Sequence, residues 1–391
     1  MAVLAPALDK NIITPSSMYL DEATTFNDGT DEGYSPTDYN DYKGYITVRQ
    51  ATESSQNIPF VKIMEQITPK TSIQYMKKMG ISTLTKTDEN LNLALGGLDK
   101  GITPLEMAAA YACIANDGIY IEPTFYSKIE NNIGKTVIKS KSNKKKAFSK
   151  QVAYLLKSLL KEPVTASSGT AKYCNINGID VAAKTGTTND DYDRWLCGFT
   201  PYYSAATWFG FDLNETINFN RKNPSGQIWA NVMKKIHSGL SKSTFEVPSG
   251  LETLEICSKT GEIANSGCPA SYTEYFLSGT APTTFCIEHS ASSTTKSIKD
   301  TTNSNNLQTE TPDNQHSSKE EQHTQNNNST STKQAESNSS VSPTKSVNNT
   351  STSSEIPTTN TSTNTSSIPD DSNTIDDDTN FFESDDNTFE Q

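Results

Sequence analysis

Lys184-Thr185-Gly186-Thr187 closes the apolar run Ile179-Asp180-Val181-Ala182-Ala183, so a strand there delivers an amine and two hydroxyls to one place. That group suits an anion. Lys184 supplies charge, Thr185 and Thr187 supply O–H donors, and Gly186 has no side chain to keep a ligand off the backbone. A Lys-Thr-Gly strand is one part of a serine acyl-transfer set that also contains Ser-x-x-Lys and Ser-x-Asn. Ser55-Gln56-Asn57 supplies the Ser-x-Asn, in the right order. Each match is weak alone in a chain so rich in Ser, Thr and Asn. Ser-x-Asn recurs at Ser304 and Ser346, Ser-x-x-Lys occurs at Ser142, Ser158, Ser293 and Ser342, and Lys-Thr-Gly returns at Lys259, where Glu262 follows and would repel an anion. Ser158 and Lys161 share a helix face, but Ser158 lies away from the leucine stripe and nothing desolvates Lys161 enough to make it a base.

The elements that must hold these residues can be read from pattern. Residues 9–44 are irregular and cover something else. Helical patterning starts near Thr47 and continues through Ile58, Val61, Ile63, Met64 and Ile67 to a helix over 69–79 that Gly80 ends. Thr103-Pro104-Leu105-Glu106 is a capping box opening an Ala-rich helix from Met107 to Asn116. A hairpin is expected around Asn131-Asn132-Ile133-Gly134, then a solvated Lys144-Lys145-Lys146 connection, then a helix capped by Ser149. The Lys184 strand is followed by strands at 195–199 and 205–211 and by a helix that turns Ile228, Trp229, Val232, Met233 and Ile236 inward. Consecutive strands followed by a helix predict an antiparallel sheet covered by helices, an α+β fold. Trp195 and Trp208 read as sheet packing.

Of 391 residues only 33% are hydrophobic, and the deficit is local. From Ile287 to Gln391 five Lys and no Arg stand against seventeen Asp and Glu, leaving the rest near neutral, with no electrostatic case for nucleic-acid binding. Ser, Thr and Asn dominate this tail, and it is expected to stay disordered. No segment reaches the roughly 20 apolar residues of a membrane span, and the first residues lack the form of a signal peptide. Cys113 and Cys197 read as small core residues. Cys257, Cys268 and Cys286 can supply one disulfide, with Cys174 as an alternative partner and the pairing open. His237 is the one histidine before the tail, so no metal site is expected.

Gly44-Tyr45-Ile46-Thr47-Val48-Arg49-Gln50-Ala51 before Ser55-Gln56-Asn57-Ile58-Pro59, then Leu95-Gly96-Gly97, Gly101 to Ala108, Ser168-Gly169-Thr170-Ala171, Lys184 to Thr188, and Asp193-Arg194-Trp195 with Gly198 to Pro201 closely resemble the transpeptidase domain of class A, bifunctional penicillin-binding proteins. The resemblance runs from residue 1 to about 286. It implies the serine β-lactamase and penicillin-binding-protein fold, a helical subdomain against a five-stranded antiparallel sheet. It divides the chain into a transpeptidase domain at 1–245, a small Cys-containing appendage at 246–286 and the tail at 287–391. It implies peptidoglycan D,D-transpeptidase chemistry on D-Ala-D-Ala stem peptides, with β-lactams as mimics, without a cofactor. Ser55 relays protons, Asn57 bonds the substrate amide, Lys184 supplies positive potential, Thr185 and Thr187 hold the carboxylate, and the Thr187 N–H gives half of an oxyanion hole.

The family's Ser-x-x-Lys-Pro would directly precede a stretch like Ala2 to Leu8. The expectation is therefore a chain truncated at its front end, lacking nucleophilic serine and base lysine, and inactive alone. The resemblance places the full-length protein on the extracytoplasmic face of the bacterial membrane, with other cell-wall synthesis proteins as partners. Two other classes stay open: a D,D-carboxypeptidase or β-lactamase-like hydrolase, and a noncatalytic peptidoglycan-binding module.

Overall fold

A computed structural model of the chain describes residues 1–218 and 223–289. From the amino end run α1 (Leu4–Asp9), β1 (Met18–Asp21), β2 (Gly44–Thr47), α2 (Val48–Ser54), α3 (Ile58–Ile67), α4 (Pro69–Lys78), α5 (Pro104–Ala115), β3 (Ile119–Ile121), β4 (Lys128–Glu130), β5 (Thr136–Lys139), β6 (Lys144–Lys146) and α6 (Lys150–Thr165). Then come β7 (Ala182–Thr187), β8 (Asp193–Phe199), β9 (Ser204–Gly210), α7 (Pro224–Ile236), β10 (Leu251–Cys257) and β11 (Ser271–Leu277). The expected tail lies, from residue 290 onward, outside the described residues. The spans 1–245 and 246–286 fall within one compact unit, Met1–Asp300.

Local chemistry sets the helix starts. Thr47 and Gln50 form a capping box on α2, Thr103 and Glu106 form one on α5, and the Ser149 hydroxyl accepts from the Val152 N–H at 3.2 Å. Each such cap contributes about 1 kcal/mol. Glu106 also accepts from the Ser82 N–H and hydroxyl, which ties α5 to the end of the preceding loop.

β7, β8 and β9 form an antiparallel sheet in that order, with Lys184 opposite Cys197 and Trp195 opposite Trp208. Among the described residues this sheet has three strands, fewer than the five of the family pattern. Successive side chains alternate between two cores, one on each face of the sheet. Ala182, Cys197 and Phe199 join the main core with Leu4, Leu8, Val48, Ile58, Met64 and Leu155, while Ala183 and Leu196 join a second core with Val164, Trp229 and Met233. The Trp195 and Trp208 rings stand 6.4 Å apart on the sheet, and Trp208 Nε1 donates to Asp193 Oδ1 at 2.7 Å.

Three readings change. Lys144–Lys146 is a strand paired with Ile119–Ile121; its side chains are all exposed, and its backbone ladder carries what its composition concealed. Within 9–44, Met18–Asp21 pairs with Gly44–Thr47. On α7, Trp229, Ala230 and Met233 face inward, but Ile228, Val232 and Ile236 are 49%, 49% and 44% exposed. Those three recur at i, i+4 and i+8, one stripe turned away from the one that packs.

A buried ion pair joins β11 to the helices. Arg49 on α2 meets Glu274 in a two-pronged contact, Nε to Oε2 and Nη2 to Oε1, both 2.6 Å. Its Nη1 also meets Glu162 Oε1 at 2.6 Å, and its Nη2 meets Ser158 Oγ at 2.9 Å. Burial works against the guanidinium charge, yet the Glu274 contact outweighs it and raises the Arg49 pKa above its ordinary value. Ser158 is thus a structural hydroxyl, and Lys161 is paired with Asp180 at 2.8 Å. Lys157 is buried and meets Asp117 at 2.5 Å.

Candidate active site

α2 ends one residue before Ser55, and Ser55 itself takes the left-handed conformation that usually falls to glycine, φ 59° and ψ 42°. With a Cβ present this costs about 1 kcal/mol. The turn brings the hydroxyl to the outer strand of the sheet, where Lys184 Nζ lies 2.7 Å from Ser55 Oγ. Lys184 also donates to the Thr185 carbonyl at 2.8 Å. Desolvation lowers Lys184 to about 8, with Cys197 acting weakly the other way. At neutral pH the ammonium therefore donates to Ser55, which leaves the serine O–H to donate onward. The α-amino group of Met1 lies near enough that burial and then the Lys184 charge lower it to about 6.

Asn57 is two residues on, at the start of α3, and faces a different neighbour. Its side-chain N–H donates to the Thr37 carbonyl at 2.7 Å, and its backbone N–H donates to Asp38. The structure thus brings Ser55 and Lys184 together, while the Asn57 donor is engaged by the irregular segment between β1 and β2. That segment carries a feature with no sequence signal. Asp38 is raised to about 6, by burial first and by neighbouring Asp21 in addition, against the pull of the Asn57 and Ile58 N–H groups. Asp21 in turn accepts from Gln56 Nε2 at 2.9 Å and from the Lys43 N–H at 2.8 Å. One oxygen of each carboxyl, Asp21 Oδ1 and Asp38 Oδ2, is buried without a hydrogen-bond partner among the described residues.

Because β7 is the outer strand, alternate N–H and C=O groups along it point away from β8. Thr185 Oγ1 donates to Thr170 Oγ1 at 3.2 Å, and Thr187 is exposed. Gly186 has no left-handed backbone, and a Cβ there would meet Trp195 only at an ordinary 3.4 Å, so the fold itself does not demand glycine. Gly169 is different: a Cβ there would run into the Pro163 carbonyl. This tight turn after α6 brings Ser168 and Thr170 over the site, and Ser168 donates to Glu53 on α2. Ser168 and Thr170 were visible in sequence as hydroxyls flanking a glycine after a helix, but only the turn gives them a place beside β7.

A hollow of about 420 Å³ lies elsewhere, between α2, α6 and the β10–β11 ribbon. Of its charged lining, Arg49 pairs with Glu162, Lys161 pairs with Asp180 and Glu53 accepts from Ser168, and Lys184 does not border it. Lys184, Thr185 and Thr187 lie on the β7 edge instead. His237 is buried and structural, Nδ1 donating to the Met233 carbonyl at 2.6 Å and Nε2 accepting from Thr200 at 2.8 Å.

A family model described as the penicillin-binding protein transpeptidase domain matches residues 1–237. The chain belongs to this family. A model of the penicillin-binding protein 1A C-terminal domain matches residues 247–291 of the transpeptidase-family chain. Penicillin-binding protein 1A of Clostridium botulinum (strain Langeland) is 33% identical over 297 residues, covering 73% of this chain and 36% of the relative. The chain thus spans about a third of the length of that relative. Among solved structures, penicillin-binding protein 1A from Haemophilus influenzae has the same fold, with a TM-score of 0.65 at 23% identity over 73% of this chain and 48% of that one. The PonA1 protein from Mycobacterium tuberculosis in complex with penicillin V matches at a TM-score of 0.54 and 24% identity, over 63% of this chain and 70% of that one. Among the described residues no helix is long and apolar enough to cross a membrane.

Proposed function

We propose that this chain is the peptide-receiving part of a serine-type peptidoglycan D,D-transpeptidase, acting on D-Ala-D-Ala stem peptides and binding the β-lactams that imitate them. The contact between Lys184 and Ser55, 2.7 Å at the edge of the sheet, carries the reading. A stem peptide extends along β7, its terminal carboxylate meets Thr185 and Thr187, and the Lys184 ammonium supplies the field that holds it. Gly186, not required by the fold, leaves room for the peptide backbone. In the reaction a serine Oγ bonds to the penultimate carbonyl carbon, the C–N bond to the terminal D-Ala breaks, and the leaving amine takes a proton. An amine of a second stem then displaces the serine. Ser55 accepts from Lys184 and donates to the leaving amine, the relay role. The Thr187 N–H meets the carbonyl oxygen as charge develops, and Asn57 bonds the substrate amide once Thr37 lets go of its N–H.

Ser55 is held as a relay and not as the nucleophile, so no stable acyl-enzyme forms on Ser55 itself. The full protein works on the outer face of the bacterial membrane beside other wall-synthesis proteins. A fluorescent penicillin and an N-acylated D-Ala-D-Ala peptide test this. The expected result is saturable peptide binding that Lys184→Met weakens, with no covalent label on Ser55. A stable adduct mapped to Ser55 would make that serine the nucleophile and overturn the relay role, and binding indifferent to Lys184→Met would remove the site.

A further inference from the structure

Far along the chain, Cys257, Cys268, Cys286 and His289 converge. Their four potential ligand atoms all lie within 4.8 Å of one another. His289 Nδ1 is 3.1 Å from Cys286 Sγ and 3.5 Å from Cys257 Sγ. All six cysteines are free thiols, so the expected disulfide is not formed, and Cys174 is buried in the second core with Val181 and Trp229. A disulfide among the three would also leave one thiol and the imidazole over. We propose that these four side chains bind one structural zinc ion.

The spacing of the four atoms, from 3.1 Å up to 4.8 Å, brackets the spacing that a tetrahedral ion sets. Tetrahedral zinc with bonds of about 2.3 Å to sulfur sets ligand atoms about 3.8 Å apart, so the four atoms close on an ion with movements of under about 1 Å each. Three thiolates and one imidazole fill all four positions of a tetrahedron, which suits a borderline-soft metal in a closed structural site without an open catalytic position. Binding releases three thiol protons to solvent and uses the neutral imidazole through Nδ1, with the Nε2 proton kept.

Backbone N–H groups converge on the three sulfurs. The N–H groups of Lys259 and Thr260 point at Cys257 Sγ, the His289 N–H points at Cys286 Sγ, and the Asn265 N–H donates to Cys268 Sγ at 3.3 Å. Gly261, at φ +70°, makes the turn that follows Cys257, and the Asn265 side chain donates to the Cys286 carbonyl. Sequence reading set the tail to begin at 287, two residues before the histidine that completes the set.

The ion has a structural task. Cys257 ends β10, whose partner β11 carries Glu274 to Arg49, and the Ser258 carbonyl accepts from Gln50 Nε2 at 3.1 Å. Both Arg49 and Gln50 are on α2, the helix that ends at Ser55. Zinc would therefore fix the ribbon that holds the helix presenting the relay hydroxyl.

The test uses the whole reduced chain, prepared anaerobically and freed of metal, titrated with cobalt(II) and then zinc. The expected result is about one equivalent of cobalt, with thiolate charge-transfer absorption and the strong visible bands of a tetrahedral site, displaced stoichiometrically by zinc. Cys113→Ser should leave the spectrum unchanged, His289→Ala should alter it, and Cys268→Ser should weaken zinc binding about a hundredfold or more. Absence of tetrahedral cobalt bands in the folded wild-type chain overturns the proposal without reference to any variant. A disulfide joining two of the three thiols in metal-replete protein overturns it as well.

Discussion

Removing Arg49 while leaving Glu274 in place should expose how the β10–β11 ribbon is held to α2 and α6. Glu274 is 0% exposed, and Arg49 Nε and Nη2 engage its two oxygens. In Arg49→Met the carboxylate is buried without its counter-charge, and its cheapest escape is to take up a proton. For a glutamic acid with an ordinary pKa of about 4.3, protonation at pH 7 costs about 3.7 kcal/mol, which agrees with the 3 to 5 kcal/mol typical of breaking a buried pair. The same arithmetic gives about 1 kcal/mol at pH 5. In the variant the folded pKa lies above the unfolded one, so the variant loses stability as pH rises from about 4 toward 7. Arg49→Met with Glu274→Met removes both charges and should return to within about 1 to 2 kcal/mol of wild type. Urea denaturation at pH 5 and pH 7 measures all three quantities. A single variant whose loss is the same at both pH values, or a double variant as unstable as the single one, would refute the buried-pair account.

Lys184 is lowered to about 8, so N-acylated D-Ala-D-Ala binding should hold steady from pH 6 to 7.5 and weaken above 8 toward the Lys184→Met level, as calorimetry across that range would show; a flat profile to pH 9.5 would contradict it. Asp38, raised to about 6, makes the native state bind more protons than the unfolded chain between about pH 4 and 6, so wild-type stability should fall as pH rises through that window. Asp38→Asn should flatten the slope, by about 1 kcal/mol once solvent screening of this half-buried group is allowed for, and thermal melts at pH 4.5 and 6.5 would decide. Gly169→Ala pushes a methyl into the Pro163 carbonyl and should destabilise by about 1 to 3 kcal/mol, while disturbing peptide binding through Thr170; an unchanged denaturation midpoint would show that the turn can yield.

The sequence was most legible where structure is local. Thr103 with Glu106, and Ser149 before its apolar stripe, act within one helical turn, and both helices start where those residues place them. The three strands β7, β8 and β9 fall where the runs after Ile179, at 195–199 and at 205–211 place them, to within a few residues, and the pairing of a serine at 55 with a lysine at 184 was carried by motif order. Interactions that join distant segments left no trace in pattern. Arg49 and Glu274 are 225 positions apart, Asn57 is engaged by Thr37 in a stretch without periodicity, and Asp21 meets Asp38 only because that stretch folds over α2. Lys144–Lys146 concealed a strand because its ladder is backbone while its side chains are solvated. On α7, the apolar count exceeded the width of the stripe that packs, so Ile228 was assigned to a side it does not face.

Under the proposed relay role, Ser55 poses a conflict between durability and activity. At its backbone angles glycine is the relaxed choice, so Ser55→Gly should make the fold slightly firmer while deleting the hydroxyl next to Lys184. A selection for heat resistance alone would drift toward that change, whereas one for cell-wall cross-linking would reject it. The preference at this single position therefore reports which pressure a lineage has been under.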